Sequence, residues 1–268
     1  MKVATKTQNK PVVESMVSIV AIILMNLWAY PALILWTLFG IFVFPVLFAL
    51  GRIFLRWPPD RLTRWFIWLY GRGWFLLMSP FVRFSREQMG VIDKENPYLF
   101  VVNHLSFFDT FCMALLPVHD IVFAVRSWPF RMFWYGSFMR LARYLDVEGD
   151  RWEDILSSSQ RAFAGNGSVL FFPEGHRSRD GKLQRFYSGG FKVAIAAGVP
   201  IVPLCISGTD RLLPPGRKLM RPCRIRLKAL EPISTREFGE EDGHIRLRKL
   251  VKNQMAKSLA EMHGEGGC

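Results

Sequence analysis

The chain has 268 residues with a net charge of +13; half of the residues are hydrophobic. That apolar content excludes a disordered tail protein, and the length allows one ordinary domain plus an accessory segment. The positive excess points to an anionic partner: a phosphate-bearing substrate, a phospholipid surface or a nucleic acid.

From Ser15 to Gly51 runs a stretch of 37 residues without a charge. About 20 apolar residues suffice to cross a bilayer core of about 30 Å, so one straight helix overshoots and two full spans are cramped. Pro31 and Pro45 interrupt the run, and Gly40 loosens it. It is too long and too aromatic for a signal peptide. Lys2, Lys6 and Lys10 precede it, and Arg52, Arg56, Arg61 and Arg64 follow. Basic flanks on both sides predict two cytoplasmic ends, which a helical hairpin or re-entrant pair satisfies better than one crossing. Residues 61–83 mix tryptophans and arginines, the composition of an interfacial helix, or equally of a core helix in the soluble part. The expected organisation is a basic tail over 1–14, membrane-anchoring and interfacial helices over 15–83, and a globular domain over 84–268.

Beyond Phe84 the pattern is that of a globular domain. Short apolar runs predict buried strands at 98–102, 120–125, 168–172 and 201–206, and alternation predicts a half-exposed strand at 224–230. Helices are predicted at 106–116, 130–141, 152–164, 189–197 and 245–262, with a frayed Gly-rich tail after Gly264. Strands alternating with helices give the fold class: α/β, with a mostly parallel central sheet flanked by helices and hydrophobic N-terminal anchoring helices.

Three blocks carry chemistry. Asn103-His104-Leu-Ser-Phe-Phe-Asp109 follows a buried strand, where open α/β sheets place their sites. His104 is suited to move a proton near neutral pH, and a carboxylate can hold its ring. The pair meets only if His104 sits in a loop and Asp109 in the first helical turn; the Ser106–Asp109 spacing, that of a capping box, puts a helix start there. Read alone, Asp109 is equally a helix-start carboxylate. Phe171-Phe-Pro-Glu-Gly-His-Arg-Ser178 also follows a strand and suits an anion: Arg177 grips phosphate, and Glu174 orients a hydroxyl or pairs with Arg177. In Arg185-Phe-Tyr-Ser-Gly-Gly-Phe-Lys192 the glycines permit close approach, and Lys192 adds a cation. The bland alternatives are a polar turn and a solvated lysine.

Cys112, Cys205, Cys223 and Cys268 lie far apart with no metal-ligand or framework spacing, which fits buried thiols in a reducing compartment. His104, His119, His176, His244 and His263 show no zinc-type spacing, so a metal-dependent phosphoesterase is disfavoured. A membrane-tethered nucleic-acid binder is disfavoured because the basic residues are spread out with no recognised motif.

Together the blocks resemble the glycerolipid acyltransferase family, typified by bacterial 1-acyl-glycerol-3-phosphate acyltransferase. Asn103, His104 and Asp109 fit its first motif, Asn-His, four residues, Asp. Residues 172–178 match its Phe-Pro-Glu-Gly-Thr-Arg-Ser motif except for His176 in place of Thr. Arg185 to Lys192 and the Val199–Pro203 strand are similar as well, and the likeness covers roughly residues 85–230. The family's second motif ends in a substrate-binding arginine with no ungapped counterpart in Leu141–Arg151; Arg151 is nearest, with Arg126, Arg131 and Arg143 as alternatives.

The resemblance implies acyl transfer from acyl-CoA or acyl carrier protein to the hydroxyl of lysophosphatidic acid, or of another lyso-lipid such as lyso-ornithine lipid or a lysophospholipid. It implies His104 and Asp109 as catalytic residues and Asn103, Glu174, Gly175, Arg177, Ser178 and Lys192 as substrate-binding. It implies no metal or prosthetic group, and a catalytic domain facing the cytoplasm at a bacterial inner membrane.

Overall fold

The computed structural model describes residues 10–264 apart from 134 and 215. The rest of the expected basic tail, residues 1–9, and the Gly-rich end, 265–268, lie outside the described residues.

The uncharged run is one helix and not a hairpin. α1 spans Lys10–Leu50 with Pro31 and Pro45 inside it, and a π-turn continues it over Gly51–Leu55. At 1.5 Å per residue, 41 residues reach about 60 Å, twice a bilayer core. Each proline removes one backbone bond, a loss that apolar helices tolerate when neighbours support them. The turn comes later than expected: Arg56 is left-handed (φ 54°), Pro58 follows, and α2 (Pro59–Met78) starts with Pro at its first turn and Asp60 beside it. The hairpin is therefore built by α1 and α2, which pack together through Trp36 on Tyr70 and Phe44 on Phe66. Gly73 permits this contact, because a Cβ there would fall 2.0 Å from the Trp36 ring.

A buried core helix is excluded for most of α1. Over Ser18–Leu55 only 6% of the most apolar window is covered, and Leu27, Leu35 and Phe42 stand exposed. Met25 and Ala29 are the exception, being wholly buried against the globular body. α2 is divided: Leu62, Phe66, Trp74 and Met78 enter the core, while Leu69 and Leu76 face outward.

The globular part is a seven-stranded sheet of β1 (Val82–Glu87), β2 (Leu99–Val102), β3 (Ile121–Val125), β4 (Leu145–Asp146), β5 (Ser168–Phe171), β6 (Ile201–Ser207) and β7 (Cys223–Ala229). Their order is β1-β7-β6-β2-β5-β3-β4, and every pairing is parallel except β6 with β7. β2, β5 and β6 are buried along their whole length, as continuous apolar runs require in a sheet covered on both faces. The helices are α3 (Asp109–Cys112), α4 (Tyr135–Leu141), α5 (Trp152–Ala164), α6 (Gly189–Ala197), α7 (Thr209–Leu212) and α8 (Gly243–Gly264).

Two predicted helices are shorter than expected. The 106–116 segment yields only α3 and a 3₁₀ turn over Met113–Leu115, cut short by Pro117. The 130–141 segment divides into a 3₁₀ turn over Trp128–Arg131 and then α4. Because β2, β3, β5 and β6 run parallel, their C-terminal ends share one edge, and the segments after them meet there.

Candidate active site

His104 sits in the loop after β2 and Asp109 opens α3, the arrangement the spacing requires. His104 Nδ1 donates to Asp109 Oδ2 at 2.8 Å. The same oxygen accepts the backbone N–H groups of Leu105 (2.6 Å) and Ser106 (2.8 Å), and Oδ1 accepts the Thr209 hydroxyl at 2.5 Å. Asp109 is completely buried and supplied with donors on both oxygens. A carboxylate so surrounded acts only as an acceptor, so the ring proton sits on Nδ1 and Nε2 carries the free lone pair. The expected capping box forms only in half. Ser106 N–H reaches Asp109, but the Ser106 hydroxyl accepts from Phe108 and not from Asp109.

Thr209 was not among the residues singled out from sequence. It is fully buried at the start of α7, beyond the C-terminal end of β6. Gly208 makes the turn that delivers it: its φ is +91°, and a Cβ would fall 2.0 Å from the Arg224 carbonyl oxygen. The signal was the Gly-Thr pair directly after a buried strand at the sheet's C-terminal edge.

Several of the expected substrate-binding residues have hydrogen-bond partners within the protein. Glu174 does not pair with Arg177. Its Oε1 accepts His104 N–H and its Oε2 accepts Gln184 N–H, each at 2.7 Å, so it ties the post-β5 segment to the histidine loop. Burial raises its pKa above the ordinary value, while these two N–H groups pull the other way. Asn103 closes both halves of its amide on Ile206, donating to its carbonyl (2.9 Å) and accepting its N–H (2.8 Å), and so clamps β2 to β6. The Ser178 hydroxyl shares its one proton between Asp180 Oδ1 and the Lys182 carbonyl, and its backbone N–H donates to His104 O at 2.8 Å. Gly175 is left-handed (φ +70°), and a Cβ there would press on the Tyr187 ring at 3.0 Å. Lys192 is exposed on α6 and does not line the cavity described next.

A cavity of about 1280 Å³ opens beside His104. It exceeds the usual range for small-molecule sites, roughly 300–1,000 Å³. Its lining is mostly apolar, with Phe111, Met113, Phe123, Phe138 and Met139 among the residues that form it. The same lining includes Arg64, which Asp60 and Asp120 engage, and Arg126, Arg177, Arg179 and Arg217. Arg126 is engaged by Glu148 at 2.6 Å; among the described residues no carboxylate pairs with Arg177, Arg179 or Arg217. Of the four arginines considered for the second motif, only Arg126 borders the cavity, and Arg151 instead pairs with Asp154 on the surface.

Cys112, Cys205 and Cys223 are free thiols. Burial pushes Cys112 well up and raises Cys205 and Cys223 to about 12, so none offers a thiolate at neutral pH. Among the described residues no group of three or more His, Cys, Asp or Glu is arranged to hold a metal ion.

Comparison with known proteins shows what this chain is similar to. The Acyltransferase family model matches residues 81–207, the span from the start of β1 to the end of β6. Curated relatives agree. A 1-acyl-sn-glycerol-3-phosphate acyltransferase of Chlamydomonas reinhardtii is 34% identical over 164 residues, 58% of this chain and 48% of that protein. The chloroplastic protein BAT2 of Brassica napus, of the same description, is 29% identical over 59% of this chain and 47% of its own. The alpha form from Mus musculus is 30% identical over 63% of this chain and 61% of its own. The chain thus spans about half the length of the first two relatives. Among solved structures, the 1-acyl-sn-glycerophosphate acyltransferase PlsC of Thermotoga maritima superimposes with a TM-score of 0.65. It is 24% identical, and the match covers 88% of this chain and 98% of that one, a likeness of fold. His104, Asp109 and Glu174 lie within the span that the family model matches, and Thr209 lies two residues beyond it.

Proposed function

We propose that the protein transfers a fatty acyl group from a thioester, acyl-CoA or acyl carrier protein, to the free hydroxyl of lysophosphatidic acid, forming phosphatidic acid at a membrane surface. The observation that carries this reading is the Asp109-held imidazole beside a cavity of mostly apolar lining that also includes Arg177, Arg179 and Arg217, which have no carboxylate partner among the described residues. A lipid with a phosphate head and a long chain has that same division of polarity. Arginine forks match phosphate oxygens in pairs, and an apolar wall recovers about 0.8 kcal/mol per buried CH₂.

His104 Nε2 takes the proton of the acceptor hydroxyl as that oxygen attacks the thioester carbonyl carbon. Asp109 stabilises the imidazolium that forms. The tetrahedral intermediate collapses, the carbon–sulfur bond breaks, and the thiolate recovers the proton from His104. The base acts on the acceptor itself, so this route uses no acyl-enzyme, and the raised cysteine pKa values support it. The residues described require no metal or prosthetic group for these steps. The exposed apolar face of α1, with basic residues at both ends, supports membrane attachment with the catalytic domain on the cytoplasmic side.

The test uses full-length protein in phospholipid vesicles, lysophosphatidic acid, each donor in turn and mass spectrometry of the product. Phosphatidic acid should accumulate, and His104→Ala should lower the rate by about 10²–10⁴-fold. Transfer only to a different lyso-lipid would overturn the acceptor. Wild-type rates in His104→Ala would overturn the mechanism.

A further inference from the structure

α1 is apolar and largely uncovered, yet it buries a carboxamide where it meets the globular body. Asn26 is 9% exposed, between the wholly buried Met25 and Ala29. Burying an amide costs free energy unless its donors and acceptor are met, and an apolar side chain of similar volume would pack there without that demand. Asn26 meets it on one distant residue. Nδ2 donates to Met220 O at 2.8 Å, and Oδ1 accepts Met220 N–H at 2.9 Å. The second Nδ2 hydrogen goes to Ile22 O within the helix. One turn further along α1, the Tyr30 hydroxyl donates to Lys218 O.

Residues 218 and 220 end the connection between α7 and β7, and that connection borders the cavity. Leu213, Pro214, Gly216 and Arg217 all lie on its wall. The connection is anchored at its other end by Thr209 on Asp109, and its neck is closed by Arg221 N–H on Leu212 O at 2.8 Å. Between the anchors, Gly216 is left-handed (φ +74°) and Arg217 N–H bonds to Pro214 O, a tight turn that carries the Arg217 side chain. Both α1 contacts engage backbone atoms, so they fix where the turn lies whatever its side chains are.

We infer that Asn26 is a positioning residue for the acceptor. Through Met220 it holds the 213–220 connection so that Arg217 stands on the cavity wall as a head-group cation. This rests on the acceptor being an anionic lyso-lipid, as proposed above. α1 is then a working part of the substrate site, and a displacement of the helix in the bilayer is felt as a change in acceptor binding.

The experiment compares wild type, Asn26→Leu, Tyr30→Phe, Arg217→Ala and the Asn26→Leu/Arg217→Ala pair, full-length in phospholipid vesicles. Two readouts are taken: KM and kcat with lysophosphatidic acid, and the rate of trypsin cleavage after Arg217 and Lys218. Arg217→Ala should raise acceptor KM about tenfold, as loss of a charge-assisted phosphate contact does, with kcat within about twofold. Asn26→Leu should raise KM several-fold with the same small effect on kcat, and should add nothing once Arg217 is alanine. Trypsin should cut the connection faster in Asn26→Leu and, to a smaller extent, in Tyr30→Phe. Tyr30→Phe removes only an exposed hydroxyl, so it carries both comparisons if Asn26→Leu fails to fold. Unchanged KM and unchanged cleavage in the clamp variants would overturn the inference, as would KM effects that multiply in the double variant. A wild-type protein that ignores lysophosphatidic acid would overturn the acceptor instead, and the trypsin comparison would still decide the clamp.

Discussion

Asp109→Asn separates charge from geometry at the centre of the site. Four donors reach Asp109: His104 Nδ1, Leu105 N–H and Ser106 N–H on Oδ2, and the Thr209 hydroxyl on Oδ1. An asparagine amide with its oxygen in the Oδ2 place keeps the first three. Its NH₂ then donates to the Thr209 oxygen once that hydroxyl rotates. The histidine tautomer and loop are retained, and only the negative charge goes. At 2.8 Å and an effective dielectric of about 20, that charge interacts with an imidazolium by about 6 kcal/mol. Proton transfer is only part complete at the transition state, so about half of this, ~3 kcal/mol, is felt, which corresponds to about 10²-fold in kcat. The assay is steady-state transfer to lysophosphatidic acid in vesicles, with thermal denaturation followed in parallel. The expected result is a 10²-fold loss of kcat with Tm within a few degrees of wild type. A folded variant with kcat within about threefold of wild type would refute the reasoning and leave Asp109 as a helix-start carboxylate.

Two further predictions follow from groups outside the reacting pair. Glu174→Gln places an NH₂ against either His104 N–H or Gln184 N–H, because both oxygens accept from backbone. It should cost about 2 kcal/mol, roughly 4–8 °C in Tm, and lower kcat by disturbing the His104 loop; unchanged Tm and kcat would count against the tie. The Arg226 hydrogen bond and charge hold the Glu87 carboxyl below its ordinary value, so this pair adds stability above about pH 4.5 and loses it as pH falls through the lowered value. Being partly exposed, it contributes only about 0.5–1 kcal/mol, so a Tm deficit of Glu87→Gln should be visible at pH 7 and close in acid. A deficit that persists at low pH would mean that packing and not charge holds β1 to β7.

The His104–Asp109 pair was legible because its demand is local. The loop between β2 and α3 fixes where the two side chains fall, five positions apart, and short apolar runs mark β2, β5 and β6. β1 was missed because Val82-Arg-Phe-Ser-Arg-Glu87 is half-exposed and follows a segment rich in arginine and aromatic rings. β4 has only two residues, too few for any period to show. The internal partners of Asn103 and Glu174 were not legible, because they are backbone atoms of segments remote in sequence. Thr209 and Asn26 escaped notice because their partners lie 100 and 194 residues away, separations over which sequence spacing carries no information.

The order of synthesis gives these separations a consequence. α1 leaves the ribosome before the sheet does and, on the membrane attachment proposed above, is free to meet the bilayer while the globular part is still being made. His104 and Asp109 emerge next, but the hydroxyl that completes the aspartate's shell arrives only with residue 209, and the clamp on Asn26 only with residue 220. At 5–20 residues per second, the nascent chain passes roughly 5–20 s with its base and acid exposed but unassembled. A product that stops before β6 would hold α1 complete but lack Thr209 and Met220, so on the proposed reading attachment precedes completion of the site.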